Sequence, residues 1–183
     1  MKIKFFIFIF FFISLLNYAQ LSTTPEIEGV SQKLQKIVPY LKERTVAVEV
    51  KIGRRRGFGS GAIISSDGLI LTCAHVSEIS DDLTIIMNDG TRYQAEKLGM
   101  NSSNDYSLLK IKASKLPFFK LGNSSALNVL QWVIALGHPG GPYPDKQPAV
   151  SFGRIRALNK QVPIQLGVKF YDDVIQTDVP IFA

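Results

Sequence analysis

The sequence predicts an all-β fold: a small closed antiparallel barrel, preceded by an amphipathic helix and followed by a second β series that is left incomplete. Three observations carry this expectation. Six short β-rich runs lie between residues 45 and 113, the turn dipeptides Asp67-Gly68 and Asp89-Gly90 separate two pairs of them, and further β-rich runs resume at residue 131.

Taken in order, residues 1–19 carry Lys2 and Lys4, then an apolar run from Phe5 to Leu16, then Asn17-Tyr18-Ala19. That is the layout of a secretory signal peptide, with cleavage expected after Ala19, and the run is too short to span a bilayer comfortably. No stable membrane span is expected once it is cleaved. Residues 20–44 form an N-terminal helical segment. Thr23 followed by Pro25 and Glu26 is a helix-start signature, and Ile27, Val30, Leu34, Ile37, Val38 and Leu41 fall on one helical face.

The first barrel is expected over 45–113, from "TVAVEVKI", "GAIIS", "LILTCA", "LTIIMN", "RYQAEKLG" and "YSLLKIKA". Residues 114–129 read as a connector. From 130 to 183 a second barrel is begun by four runs: "QWVIALG", "AVSFGRIRALN", "PIQLGVKF" and "DDVIQTD". Four strands leave an open edge with unpaired backbone groups, so this barrel reads as truncated.

At 183 residues, with 46% hydrophobic and 20% charged residues, the chain is globular rather than disordered. Removal of the leader takes two of the 21 basic residues and none of the 15 acidic ones, lowering the net charge from +6 to +4. Such a balance favours acidic surfaces only weakly. Arg54-Arg55-Arg56 is its densest basic patch, and without an aromatic stacking pattern it reads as a solvated hairpin loop rather than a nucleic-acid site. The single Cys73 allows no internal disulfide and is expected to be a small buried core residue; the other reading is a free thiol near His75.

Chemistry is confined to few residues. Nothing resembles HExxH, paired CxxC, a phosphate loop or a dinucleotide fingerprint, so no cofactor and no metal ligand set is expected. His138, in "GHPGG", reads as a loop residue with a structural hydrogen bond. His75 is different: it closes "GSGAIISSDGLILTCAHV", and thirty residues later Asp105 heads the strand in "NDYSLLKI".

These motifs, continued in the same order by "LGNSSALNVLQWVIALGHPGG", "VSFGRIRAL" and "VIQTD", resemble the trypsin-like serine proteases and, within them, the HtrA/Deg-like branch. The resemblance runs from Ala47 to Asp178 and implies a trypsin-like double β-barrel with its active site between the barrels. It implies that His75 is the general base and Asp105 its orienting carboxylate. It further implies an exported protein, periplasmic or extracellular, acting on polypeptide substrates such as unfolded envelope proteins. Relatives of this kind form oligomers; the sequence leaves that open.

In the family, the segment matching "IQTDVPIFA" runs into Gly-Asn-Ser-Gly-Gly, whereas Ala183 is the last residue of this sequence. The chain therefore reads as the front part of a secreted serine endopeptidase, with the nucleophile expected after Ala183 and the chain as given inactive. Gly122-Asn123-Ser124 imitates the start of that motif but lacks its glycines, and Ser60 belongs to the opening of a strand. The alternatives are an exported pseudoprotease that binds peptides or partners without catalysis, and a purely structural β domain. The retained His75 and Asp105 argue against both.

Overall fold

The computed structural model describes residues 25–142, 144–165 and 169–181. The signal-peptide segment and the Thr23 cap lie outside the described residues. The chain divides at Val38 into two units. The described part of the first unit is helical, within helix α1 (Pro25–Lys42), which starts on the proline as expected. Everything below concerns the second unit, Pro39–Ala183.

Six strands close into a barrel: β1 (Thr45–Ile52), β2 (Arg55–Ile63), β3 (Leu69–Thr72), β4 (Leu83–Ile86), β5 (Arg92–Asn101) and β6 (Tyr106–Ile111), in the order β1-β2-β3-β6-β5-β4. All pairs are antiparallel, and β1 pairs with β4 to complete the circle. Val46, Val48 and Val50 point inward from β1, at the period of two that a strand imposes, and meet Ile63, Ile70, Leu83, Ile85, Leu109 and Ile111 in the core.

Apart from Ile63, β2 contributes little side-chain volume to this interior, because its other inward positions, Gly57, Gly59 and Gly61, are glycines. A Cβ on Gly61 would sit 2.8 Å from Ile70 Cγ2 and 3.2 Å from Val46 Cγ2. Glycine here admits the large residues of facing strands into a narrow barrel. On the outer face of β1, the buried Glu49 is held by Arg92 at 2.5 Å and by Arg56 at 3.4 Å. The hairpin patch is therefore divided: Gly53 and Arg54 make the two-residue turn, while Arg55 and Arg56 already belong to β2.

The turn dipeptides sit where expected. Gly68 and Gly90 have φ of +95° and +88°, left-handed values that glycine adopts without cost. Beyond the barrel come a 3-10 turn (Ser124–Ala126) and a three-stranded antiparallel sheet of β7 (Trp132–Gly137), β8 (Ala149–Gln165) and β9 (Lys169–Thr177), in that order.

Among the described residues this second β series holds three strands rather than the four expected. The run 149–159 continues through 163–165, the start of the next expected run, into the 17-residue β8, while the end of that run, 169–170, opens β9. Asn159 through Pro163 resembles a break, but the β8–β9 ladder absorbs it through repeated register shifts, with Asn159 and Asp173 in left-handed conformations at φ +52° and +57°. A proline's missing N–H is tolerated at such irregularities.

Candidate active site

Strand order brings the two candidate residues together. β3 pairs with β6 rather than with β4, and the register sets Thr72 opposite Ser107. His75 lies just past the end of β3 and Asp105 just before the start of β6, so two residues thirty positions apart share one rim of the barrel. Cys73 turns the chain out of β3 and into α2 (Ala74–Ser77), a single turn of helix where the sequence suggested more strand. Ala74 and Ser77 are buried beneath that turn.

The turn is seated by a glycine. A Cβ on Gly59 would fall 2.6 Å from Val76 Cγ2, so the bare backbone of β2 is what lets Val76 pack there and fixes the residue before it, His75.

His75 and Asp105 meet through two hydrogen bonds. The backbone N–H of His75 donates to Asp105 Oδ1 at 2.9 Å, and its ring Nδ1 lies 2.7 Å from Oδ2. Partial burial opposes the charge on Asp105, but the bonds from the backbone and ring of His75, and one from Tyr171 on β9, hold its carboxyl below the ordinary carboxylate range. An ionised carboxylate only accepts, which makes Nδ1 the donor and leaves Nε2 of the neutral ring free to take a proton. The imidazole side chain is 65% exposed.

Tyr171 lies beside this pair. Burial and the adjacent negative Asp105 push its hydroxyl above the usual phenol range. Nothing in "VKFYDDVIQTD" marks Tyr171 as a site residue; only the fold shows its place. Next to the pair, a cavity of about 480 Å³ is lined by Thr72, Cys73, Asp105, Phe119, Ile134 and Leu136, joining the barrel rim to β7.

Cys73 corrects an expectation. It is exposed rather than buried, because β3 ends at the buried Thr72 and the helical turn hands the inward position to Ala74. Partial desolvation and the nearby Asp105 charge push its thiol upward.

His138 is fully buried, with 1% exposure. Its backbone N–H donates to Ser60 Oγ at 2.8 Å, but its two ring nitrogens have no partner among the described residues. Burial lowers its pKa, although the charge of Asp145 works the other way. Ser60 is thus engaged in tying β2 to the end of β7, and Ser124 sits in an exposed turn. Among the described residues, the hydrogen bonds of His75 run to Asp105 and to neither serine.

A family model described as a trypsin-like peptidase domain matches residues 59–183. The chain belongs to the trypsin-like peptidases. Within this peptidase family it is of the HtrA/Deg-like kind. It is 43% identical over 127 residues to a probable periplasmic serine endoprotease DegP-like from Halomonas elongata, covering 69% of this chain and 25% of that one. It is 34% identical over 166 residues to a protein of the same description from Pseudomonas fulva, covering 87% and 32%.

Among solved structures, the HtrA-type protease AlgWS227A with tripeptide superposes with a TM-score of 0.70 at 28% identity, over 80% of this chain and 46% of that one. The chain spans about a quarter to a third of the length of the curated relatives it matches. Their periplasmic names support the exported, periplasmic or extracellular location expected from the leader. No helix among the described residues is long and apolar enough to cross a membrane.

Proposed function

We propose that this peptidase domain supplies the general base and the orienting carboxylate of a secreted serine endopeptidase that hydrolyses polypeptides, unfolded envelope proteins among them. His75 Nε2 takes the proton of a serine hydroxyl as it attacks the scissile carbonyl and returns it to the leaving amine. Asp105 holds the tautomer and stabilises the imidazolium that forms between the two transfers. The observation that carries this reading is the two-point hydrogen bond between His75 and Asp105, which makes Nδ1 the donor and turns the basic nitrogen of the neutral ring, Nε2, away from the carboxylate.

The serine and its oxyanion hole are supplied, in this reading, by a Gly-x-Ser-Gly-Gly segment outside residues 1–183. Glycines there permit a strained turn that exposes the hydroxyl while aiming backbone N–H groups at the developing oxyanion. Residues 20–183 alone are then inactive. A pseudoprotease that binds peptides without catalysis has no use for a base held in one tautomer.

The experiment is digestion of casein by a longer protein that carries the serine segment, beside its His75→Ala variant and residues 20–183 alone. Cleavage by the first, with a loss of about 10⁴-fold or more in the second and none detected in the third, is expected. Equal cleavage by the first two would remove His75 from the chemistry.

A further inference from the structure

Three side chains of different ligand chemistry converge where the peptidase reading uses only two. Cys73, His75 and Asp105 each bring one ligand atom to within 4.8 Å of the others: the thiol Sγ, an imidazole nitrogen and a carboxylate oxygen. We propose that they form an inhibitory site for a divalent, borderline-soft cation such as zinc, ligated by Cys73 Sγ, His75 Nδ1 and Asp105 Oδ2, with solvent in the fourth position.

Thiolate, imidazole and carboxylate are the donor types that Zn2+ takes, and three protein ligands with one open position is a common tetrahedral arrangement. At metal–ligand distances of about 2.0 to 2.3 Å, tetrahedral ligand atoms stand roughly 3.3 to 3.6 Å apart. The Nδ1 to Oδ2 separation of 2.7 Å therefore has to widen by roughly half an ångström, and Sγ, in a cluster whose ligand atoms lie within 4.8 Å of one another, has to close by roughly an ångström at most. Cys73 and His75 are both exposed and can make those adjustments by side-chain rotation. Asp105 need hardly move. Its Oδ1 keeps the backbone N–H of His75, an outer bond of the kind that orients a metal-bound carboxylate.

The protons balance simply. The Cys73 thiol releases its proton to solvent as the sulfur–metal bond forms. The ring proton leaves Nδ1 for Nε2, because the ion takes the Nδ1 lone pair. A ring protonated at Nε2 cannot accept a serine proton, so the ion stops catalysis by imposing the wrong tautomer. Cation binding is independent of the peptidase reading; the inhibitory consequence rests on it.

The test uses Co2+ as a spectroscopic substitute for Zn2+, added to the purified, reduced full chain. One equivalent is expected to produce a thiolate-to-cobalt charge-transfer band that Zn2+ removes by displacement. Cys73→Ser, an isosteric change at an exposed position, should lose the band and bind at least 10-fold more weakly, and His75→Ala should weaken binding similarly. No thiolate band in the wild-type chain, or unchanged affinity in either variant, would overturn the site.

A second reading needs no variant. Alkylation of Cys73 by iodoacetamide should slow at least 10-fold in saturating Zn2+, and an unchanged rate would also overturn it. In a longer, active protein, Zn2+ should suppress casein digestion at the concentration that produces binding. Binding by spectrum and alkylation with turnover untouched would leave the cation site standing and overturn its inhibitory role together with the use of His75 as base.

Discussion

Asp105 accepts both the backbone N–H and the ring Nδ1–H of His75, at 2.9 and 2.7 Å. The first bond sets the carboxylate against α2, and the second decides which ring nitrogen carries the proton. Asp105→Asn preserves the size and the backbone bond but presents an amide whose N–H₂ can face the ring and reverse the tautomer. In an active, full-length protein, kcat should fall about 10⁴-fold while the melting temperature stays within a few degrees. Steady-state kinetics beside thermal melting checks this, and near wild-type turnover would reduce Asp105 to a turn residue.

Tyr171 acts on the same carboxylate from β9. Removing its hydroxyl in Tyr171→Phe takes one donor from the ionised Asp105 without touching His75. Losing that donor weakens the hold on the ionised carboxylate, so kcat should fall by roughly 10-fold at most. KM should not change. A shift in KM with kcat constant would place Tyr171 in substrate binding instead.

Gly59 is the position where a methyl group is least tolerated near the site. Its added Cβ would lie 2.6 and 2.7 Å from the two Cγ atoms of Val76, so α2 has to shift and carry His75 with it. Gly59→Ala should cost about 1 to 3 kcal/mol of stability and reduce turnover. Adding Val76→Ala should recover part of both. Independent, additive losses in the double variant would show that the two residues do not meet.

How far these relationships could be read in advance depends on which contacts are local. The valines of β1, the Asp-Gly turns and the "LTCAHV" and "NDYSLL" stretches were legible because each rests on neighbours a few residues away. The closed barrel and the family followed from them. The pairing of β3 with β6 was not legible from periodicity, since strand order is decided by burial across the whole barrel. Cys73 was misread for a related reason: alternation along "LILTCA" assumes a strand to Ala74, but a single turn of helix begins there and turns the thiol outward. The continuation of β8 through Gln165 depends on bulges that no local pattern in "ALNKQVPIQ" announces.

His138 makes stability depend on pH. Its ring is buried and neutral, and its folded pKa lies below the unfolded value of about 6.5. Between the two values the unfolded chain holds a proton that the folded chain does not, so this contribution is fully present above about 6.5 and is lost as the pH falls toward the folded pKa. Carboxylates with lowered folded pKa, Asp178 among them, lose their contribution only at lower pH, through the carboxylate range. Melting temperatures between pH 7 and 5 should therefore fall less steeply for His138→Leu than for the wild-type chain. Identical slopes would mean that the ring finds a partner when protonated.

Covalent labelling tests the assignment of His75 most directly, because an organophosphorus probe attaches only to a serine oxygen that a nearby base activates beside an oxyanion hole. A longer protein carrying a Gly-x-Ser-Gly-Gly segment should be labelled at that serine, its His75→Ala variant should not, and residues 20–183 alone should remain unlabelled at high probe concentration. An adduct on residues 20–183 that maps by mass spectrometry to Ser60 or Ser124, or undiminished labelling of the His75→Ala protein, would contradict the account.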